Sequence, residues 1–548
     1  KHMKKYEAVI QGMTCDACEI HVEKALGSIE VKIIDVDYKT GVAQFVSTES
    51  ISFKDVELAL SKTPYYLKSV HEENHIAQDS TSNKKDFDLI IIGSGSAAFS
   101  AAIKAKEYGK TVAIIERDTI GGTCVNVGCV PSKTMIRAGY INQFSKSHNF
   151  QGLNISSNEV NFEQLIDQKN HLVDQLRQKK YINLLDVYQI ELIKGHARFI
   201  NSSQISVNNN VYTADKYLIA TGSKPVIPNI KGLDQVNYLT STTLLELKKT
   251  PKSIVIIGSG YIALELGQML KNLGSKVTFL RRSHYLLKEY DSEISIKMEE
   301  ILKTDGIELI NDISYDKVEK NQDLIQIHFT KNNEKTYLES EALLVAAGRT
   351  PSTEDLNLDL AGVKLGDTNE ILINDFGVTS NENIYAAGDV TGGPMFVYVA
   401  AYQGGVVMDN AFGNVKKTID LRYVPSVIFT TPSIASVGYT EHEANRLGYS
   451  TVSRTIDLEM VPRALVNHDT RGLFKIVVDQ ATNKIIGVHI LAEDAGEIIY
   501  SATLAIKFGL TIQDLKDTMV PYLTMSEGLK LAILSLEKDV SHLSCCAV

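Results

Sequence analysis

Apolar strands alternate with helical stretches over much of the chain. The clearest unit, DLIIIGSGSAAFSAAIKAKEYGKTVAIIE, predicts a buried strand, a glycine turn, a helix of small residues and a second strand. The same order returns in SIVIIGSGYIALELGQMLKNLGSKVTFLRR. Two βαβ units of this kind predict two dinucleotide-binding domains, and therefore two bound nucleotides.

Different patterns flank these two units. Residues 4–71 alternate short apolar strands with helical stretches, and residues 72–86 are polar and almost free of large apolar side chains, which predicts a linker. From about Arg422 onward, β-branched runs and a long helical segment near Ala495–Phe508 predict a separate α+β domain.

Composition narrows the class of protein. A chain of 548 residues is too long for one hydrophobic core. Its net charge of -10 gives no basic surface for nucleic acid, so we expect no nucleic-acid partner. The longest apolar stretch, Leu89–Ile103, is broken by glycines and is too short to span a bilayer, so we expect no membrane insertion. No export signal opens the chain, and we expect a cytoplasmic protein.

The first glycine turn has the residues that a pyrophosphate site requires. Gly93 and Gly95 allow a tight turn after the strand, and the small residues Ala97 and Ala98 allow close packing of helix against strand. Glu116 closes the next strand, 23 positions after Gly93, where a carboxylate can accept hydrogen bonds from ribose hydroxyls.

The second turn, at Gly258, Gly260 and Ala263, repeats this geometry with a different charge at its end. Arg281 and Arg282 stand where the first unit has a carboxylate. Guanidinium groups bind a ribose 2′-phosphate through charge-assisted hydrogen bonds, so the pair favours NADPH over NADH. The alternative is a solvated pair of surface arginines.

The six cysteines form three local pairs. They are Cys15/Cys18, Cys124/Cys129 and Cys545/Cys546. Structural disulfides are disfavoured in a reducing cytoplasm, so paired thiols there are more often redox-active or metal-binding. The alternative is a chance arrangement of cysteines that pack as small apolar residues.

The middle pair lies in a motif that resembles a known family. GGTCVNVGCVPSK, together with ATGS at 220–223, AAGRTP at 346–351 and AAGD at 386–389, resembles the pyridine nucleotide-disulfide oxidoreductase family over about residues 87–548. The resemblance implies FAD and NADPH as cofactors, and a cysteine pair that cycles between disulfide and dithiol. It implies that Cys129 lies next to the flavin and that Cys124 engages the substrate.

Further roles follow from the same resemblance. It implies that Asp389 binds the ribityl chain of FAD, and that Lys133 and Glu265 form an ion pair near flavin and nicotinamide. The matching motifs give the remaining cofactor-binding candidates, which are Gly122, Thr123, Thr221, Gly222 and Gly348.

The chain departs from the disulfide-reducing members near its C-terminus. Those members carry His-Pro-Thr-x-x-Glu, whereas this sequence has Tyr522 in place of the histidine that serves as acid and base. A phenol with a pKa near 10 is a poor substitute, which disfavours disulfide reduction. A phenol can still hydrogen-bond a sulfur or lie beside a soft cation, and tyrosine at this position resembles the family members that reduce mercuric ion. Tyr181 is a second such candidate.

The two terminal thiol pairs suit soft metals. Cys545 and Cys546 are adjacent on a chain end, where a metal transfer site is more plausible than a strained disulfide ring; the alternative is a tail with no role. GMTCDAC at 12–18 resembles heavy-metal-associated domains, which implies a ferredoxin-like βαββαβ fold with a soft cation between Cys15 and Cys18. Two thiolates suit Cu(I) or Hg(II) better than Zn(II). A purely redox role is the alternative.

These expectations give an α/β protein with two Rossmann-like dinucleotide-binding domains plus an α+β dimerisation domain, preceded by a ferredoxin-like metal-binding domain. The predicted boundaries are 1–71 for the metal-binding domain, 72–86 for the linker, 87–225 and 346–421 for the FAD-binding domain, 226–345 for the NADPH-binding domain, and 422–548 for the dimerisation domain with its Cys-Cys tail.

Soft thiol pairs joined to a two-electron reductant predict the substrate. Hg(II) binds two thiolates and gives a stable product after gaining two electrons, so we expect reduction of thiol-bound Hg(II) to Hg(0), with small thiols as mercury carriers. The family's head-to-tail homodimer would place Tyr522, Cys545 and Cys546 of one subunit over Cys124 and Cys129 of the other. Two alternatives stay open, a dihydrolipoamide dehydrogenase or other disulfide reductase, and a metal-binding protein that only reduces its own thiols.

Overall fold

A computed structural model describes residues 4–73, 85–156 and 159–544. The chain divides into two compact units between residues 84 and 85. The predicted linker lies mostly on residues 74–84, outside the described residues, and its first two positions end a strand.

The first unit is a four-stranded antiparallel sheet with two helices. Alternate residues of the first strand, Tyr6, Ala8 and Ile10, are buried, because successive side chains of a strand point to opposite faces. The Tyr6 ring stacks on Phe45 with 5.6 Å between centroids. The predicted βαββαβ order is confirmed, with strands Lys4–Gln11, Lys32–Asp37, Val42–Ser47 and Tyr66–Glu73 and helices Asp16–Leu26 and Phe53–Leu60.

The second unit begins with a sheet whose first two parallel strands, Phe87–Ile92 and Val112–Glu116, are mostly buried. The strand Asn210–Ile219 pairs in parallel along its second half and in antiparallel fashion along its first half. The strand Ile384–Ala386 returns to this sheet from much later in the chain. The other strands are Phe87–Ile92, Val112–Glu116, Glu191–Lys194, Arg198–Asn201 and Gln204–Val207, and the flanking helices are Ser96–Glu107 and Val397–Phe412.

A second parallel sheet repeats the plan. It has four strands, Ser253–Ile257, Lys276–Leu280, Glu308–Ile310 and Ala342–Val345, with helices Tyr261–Asn272 and Ser292–Thr304. Between the last two of these strands, the chain forms an antiparallel sheet of three strands, Ile313–Asn321, Leu324–Lys331 and Glu334–Ser340. The two parallel sheets confirm the prediction of two Rossmann-like domains.

The C-terminal part confirms the predicted α+β domain. Its five-stranded antiparallel sheet contains Ser426–Ile428, Ser433–Gly438, Thr451–Asp457, Leu473–Asp479 and Lys484–Ala492. Its helices are Glu441–Arg446, Pro462–Val466, Ala495–Lys507, Ile512–Asp517 and Glu527–Leu534.

Helices between the second and third parallel strands carry the middle cysteine pair. They are Gly122–Asn126, Cys129–Ser147, Phe162–Arg177, the π-helical segment Gln178–Ile182 and Asn183–Tyr188. The remaining elements are the ribbon of Ser223–Pro225 with Arg349–Pro351, the helix Ser241–Leu244 and the short helices Leu233–Gln235, Asp389–Thr391, Leu458–Met460 and Val540–His542. Among the described helices, none has the length and apolar character needed to cross a bilayer.

Candidate active site and metal-binding thiols

The first glycine turn is closed by a backbone contact that excludes any side chain. Gly93 has a φ of +103°, and a Cβ there would lie 2.2 Å from the carbonyl oxygen of Ala220. Gly95 precedes the helix Ser96–Glu107, in which Ala97 and Ala98 are buried. The free N–H groups of this helix end are therefore available to a pyrophosphate.

Glu116 links the strand end to the glycine turn. Its carboxylate accepts a hydrogen bond from the Ser94 hydroxyl and another from the Asp118 N–H at 2.8 Å. The Ser94 hydroxyl in turn accepts from the Gly121 N–H at 3.1 Å, just before the cysteine loop. Glu116 is thus fixed at the position where a ribose would lie.

The Asp389 carboxylate is also fixed by hydrogen bonds. It accepts a hydrogen bond from the Ser223 hydroxyl at 2.7 Å, and Arg349 donates to that hydroxyl at 2.8 Å. Thr221 donates to the Ser352 carbonyl at 2.6 Å, while a Cβ at Gly222 would meet no atom within 4 Å. The backbone around Gly222 is therefore open to a ligand.

One cleft, with an empty volume of about 990 Å³ counted to its open mouth, collects many of these groups. The predicted residues that line it are Gly95, Ala97, Thr123, Cys124, Cys129, Lys133, Gly222, Glu265 and Asp389. A glycine turn at a helix end, a fixed carboxylate and an adjoining sulfur pair fit FAD.

The second glycine turn has the same construction. Gly258 has a φ of +141°, and a Cβ there would lie 2.0 Å from the carbonyl oxygen of Ala346. Ala263 is fully buried, whereas Cβ atoms at Gly260 and Gly348 would meet nothing within 4 Å. Gly260 and Gly348 line a second cleft, so this turn fits a second dinucleotide.

The two arginines after the second turn occupy different environments. Arg281 is 2% exposed and donates hydrogen bonds to Glu299 at 2.7 Å and to the His284 carbonyl at 2.9 Å. Arg282 is exposed, with its guanidinium carbon 5.3 Å from the centroid of the Tyr315 ring. Burial argues against direct phosphate binding by Arg281, and it also excludes the alternative that both are solvated. Arg282 remains the candidate phosphate ligand.

The middle cysteines are brought together by two consecutive helices. Cys124 lies in Gly122–Asn126, and Cys129 is the first residue of Cys129–Ser147. A Cβ at the intervening Gly128 would lie 2.9 Å from the Thr123 carbonyl oxygen, so glycine permits the close approach. A helix N-terminus favours a thiolate at Cys129.

The two thiols differ in acidity. A hydrogen bond from Cys124, aided by the nearby Lys133 ammonium, lowers the pKa of Cys129 to about 6. The same hydrogen bond, together with burial, raises the pKa of Cys124 above its ordinary value. Cys129 is therefore the thiolate of the reduced pair at neutral pH, and Cys124 is its protonated partner.

Lys133 and Glu265 form the predicted ion pair. The lysine Nζ lies 2.7 Å from Glu265 Oε2 and 5.0 Å from the centroid of the Phe429 ring. Glu265 is 3% exposed, and its other oxygen accepts a hydrogen bond from the Phe429 N–H at 3.0 Å. Since Glu265 lies on the helix after the second glycine turn, the pair joins that helix to the helix that begins at Cys129.

Tyr181 lies near the sulfur pair, within the π-helical segment Gln178–Ile182. Its ring meets Phe99 edge to face at 5.0 Å. Burial raises the pKa of Tyr181, and the negative charge of Cys124 and Cys129 adds to the rise. Tyr181 is not among the residues that line the cleft as described, although π-helical turns are frequent at functional sites.

The C-terminal candidates lie apart from this cleft or outside the described residues. Tyr522 is 49% exposed and is not among the cleft's lining residues in the described part of one subunit. The adjacent Leu523 N–H donates to Glu527 at 2.8 Å, which fixes the turn that carries the tyrosine. Cys545 and Cys546 lie outside the described residues.

The N-terminal thiols lie at the start of the helix Asp16–Leu26. The sulfur atoms of Cys15 and Cys18 are 3.4 Å apart, with Cys15 exposed and Cys18 buried. The Thr14 N–H donates to Cys18 at 3.3 Å, and this bond, with a second from the Tyr65 hydroxyl, lowers the pKa of Cys18 to about 6. A soft cation would meet one preformed thiolate and one accessible thiol.

Several residues at these sites carry no sequence motif that would have revealed them. Tyr65 contacts Cys18 from the far end of the first unit. Tyr261 lines both clefts, and burial raises its pKa to about 12. Glu299 is the buried partner of Arg281. Tyr261 and Arg349 do stand in quoted stretches, SIVIIGSGYIALELGQMLKNLGSKVTFLRR and AAGRTP, but neither residue was predicted to belong to a site.

Comparisons with known proteins agree with this geometry. Residues 87–404 match the Pyridine nucleotide-disulphide oxidoreductase family, residues 424–533 match its dimerisation domain, and residues 9–65 match the Heavy-metal-associated domain. The chain is similar to proteins named mercuric reductase from Lysinibacillus sphaericus (51% identity, covering 100% of both chains), Staphylococcus aureus (51%, 99% of both) and Shigella flexneri (40%, 98% and 99%).

Among solved structures, the chain resembles the HOCl-induced flavoprotein disulfide reductase RclA from Escherichia coli. The identity is 32%, the TM-score is 0.75, and the match covers 82% of this chain and 100% of that one.

Proposed function

The chain belongs to the pyridine nucleotide-disulphide oxidoreductase family, and from this membership we propose that it is an NADPH-dependent mercuric reductase. One observation carries the proposal. The chain matches mercuric reductases over its full length, including the N-terminal metal-binding domain, and tyrosine replaces the histidine that disulfide reduction requires.

The reaction balances with the substrate bound by two thiols. Hg(SR)2, NADPH and one proton give Hg(0), NADP+ and two RSH. When bound, FAD supplies the two-electron connection between nicotinamide and the sulfur site. The chain's own groups bind the ion, hold the reactive sulfur as a thiolate and exclude water.

Cys124 and Cys129 would hold Hg(II) during reduction. The thiolate of Cys129 displaces a carrier thiol without first losing a proton, because its pKa is about 6. Cys124 then binds Hg(II) as the second sulfur ligand, and its proton is transferred to the carrier thiolate that has been displaced. Lys133 favours the thiolate, and its ion pair with Glu265 keeps the ammonium in place.

Gly93, Gly95 and Glu116 would hold one end of FAD, and Asp389 would hold its ribityl chain. NADPH would lie against Gly258 and Gly260, with Arg282 binding the 2′-phosphate. Tyr181 would complete the buried side of the mercury site.

The dimerisation domain supports a homodimer. We infer the finer arrangement in which Tyr522, Cys545 and Cys546 of one subunit complete the site of the other. The exposure of Tyr522 and its absence from the cleft within one subunit support this arrangement. Cys15 and Cys18 would capture the ion from small thiols and pass it on. Such free thiols suit the reducing cytoplasm.

The test compares substrates while mercury vapour is measured. The enzyme receives NADPH with HgCl2 in excess thiol, and in separate reactions lipoamide or glutathione disulfide. We expect NADPH consumption to match vapour loss, and to be lost in Cys124→Ser/Cys129→Ser while Ser147→Ala, at the exposed end of the same helix, behaves as wild type. Rapid disulfide turnover without vapour would favour a disulfide reductase, and neither activity would favour a protein that only reduces its own thiols.

A further inference from the structure

A buried ion pair lies beneath the loop that follows the second glycine turn. Arg281 and Glu299 have side chains that are 2% and 12% exposed, and they are joined by a 2.7 Å hydrogen bond. Glu299 lies on the helix Ser292–Thr304, so the pair connects this helix to the end of the strand Lys276–Leu280. Neither Arg281 nor Glu299 is among the residues that line the two described clefts.

Three contacts fix the loop, and the ion pair makes two of them. The same Glu299 oxygen that binds Arg281 also accepts a hydrogen bond from the Leu286 N–H at 2.8 Å. The Arg281 guanidinium donates to the His284 carbonyl at 2.9 Å. The Leu287 N–H then donates to the Ser259 carbonyl, between the two glycines of the turn, at 2.9 Å. Loop residues 282–287 are thereby held against the nucleotide turn.

The arrangement is not optimised for stability. Nε and Nη1 of Arg281 are buried, and neither has a hydrogen-bond partner in the described part of the chain. A buried ion pair with unsatisfied donors contributes little to stability, and apolar residues of similar volume often serve as well or better. What the pair does provide is a defined path for the loop that carries Arg282.

We propose that Glu299 is a positioning residue for nucleotide selection: through Arg281 and the Leu286 N–H, it holds the loop so that exposed Arg282 meets the adenosine 2′-phosphate of NADPH. This inference rests on the proposed use of NADPH. Glu299 itself does not touch the nucleotide, so its effect should fall on the affinity for NADPH and hardly at all on that for NADH, which lacks the phosphate.

The experiment measures nucleotide-dependent bleaching of the flavin in the holoenzyme without oxygen, which requires no mercury. The nucleotide affinities can therefore be measured even if the enzyme does not reduce mercury. Glu299→Gln keeps an acceptor oxygen but removes the charge that pairs with Arg281, so it should raise the apparent Kd of NADPH about tenfold, the cost of weakening charge-assisted hydrogen bonds, while the limiting bleaching rate and the Kd of NADH change less than about twofold. Glu300→Gln, which changes the exposed neighbour whose carboxylate pairs with Lys297, is the matched control.

A double variant separates positioning from stability. Arg281→Met/Glu299→Leu replaces the ion pair by apolar side chains of similar volume, so the protein should melt at or above the wild-type temperature. We still expect the loss of NADPH preference, because the Leu286 N–H loses its acceptor. The proposal is overturned if either variant keeps the wild-type ratio of NADPH to NADH affinity, or if both affinities fall together.

Discussion

The acidity of Cys129 gives the sharpest test of the sulfur site. Its pKa of about 6 has the hydrogen bond from Cys124 as its largest cause and the Lys133 ammonium as a smaller one. A thiol with a pKa of 9.0 would be only about 1% ionised at pH 7, whereas one with a pKa near 6 is roughly 90% ionised. The reduced enzyme should therefore react as a thiolate over the whole neutral range.

The perturbation is Cys124→Ala, which removes the hydrogen-bond donor and leaves Lys133 in place. We expect the pKa of Cys129 to rise from about 6 towards 9.0, so that the thiolate fraction at pH 7 falls severalfold or more. Lys133→Gln should raise this pKa by less, because the ammonium is the smaller cause. Both changes have the same sign, since each removes a group that favours the charged sulfur.

The assay is the rate of iodoacetamide alkylation of prereduced enzyme between pH 4 and 10, resolved to Cys129 by peptide mass. The wild type should show a midpoint near pH 6. A wild-type midpoint near pH 9 would refute the thiolate assignment. A midpoint unchanged in Cys124→Ala would refute the hydrogen bond as its main cause, and a larger rise in Lys133→Gln than in Cys124→Ala would reverse the order of the two causes.

Two further predictions follow from single contacts. Gly258→Ala places a Cβ 2.0 Å from the Ala346 carbonyl oxygen, so NADPH-dependent flavin bleaching should weaken at least about tenfold while bound FAD is retained. The control is Gly274→Ala, which is also at positive φ but faces open space, and this variant should bleach normally. An equal loss in both variants would show that backbone strain alone is responsible. Tyr65→Phe removes a hydrogen bond to Cys18, so the alkylation midpoint of Cys18 should rise above pH 6. The midpoint should stay below 9.0, because the hydrogen bond from the Thr14 N–H remains. An unchanged or lower midpoint would contradict the role of Tyr65 in stabilising the thiolate.

Local features of the sites could be predicted from the sequence because they depend on short-range geometry. The glycine turns, the carboxylate that ends the first βαβ unit and the Cys124/Cys129 pair all lie within one strand, turn and helix. The ion pair of Lys133 with Glu265 joins distant segments, and only the resemblance to a family indicated it.

Contacts that depend on tertiary packing could not be predicted. Arg281 looked equivalent to Arg282, but its burial is decided by how the helix Ser292–Thr304 packs and by the presence of Glu299 on it. Tyr65 reaches Cys18 only because the fold returns its last loop beside the first. The role that we propose for Tyr522 requires a second subunit, which the pattern of one chain does not describe.

The contact between Gly95 and Gly122 limits how the sulfur site can be redesigned. A Cβ at Gly122 would lie 2.5 Å from Gly95 Cα, so the cysteine loop and the pyrophosphate turn share one backbone surface. Gly122 therefore cannot be replaced in order to change the spacing of the two sulfurs for a larger metal, because even the Cβ of an alanine would displace the turn at Gly95. The stretch between the cysteines is restrained as well, because the Asn126 amide donates to the Ile120 and Gly122 carbonyls at 2.9 Å and accepts from Arg177 at 2.6 Å.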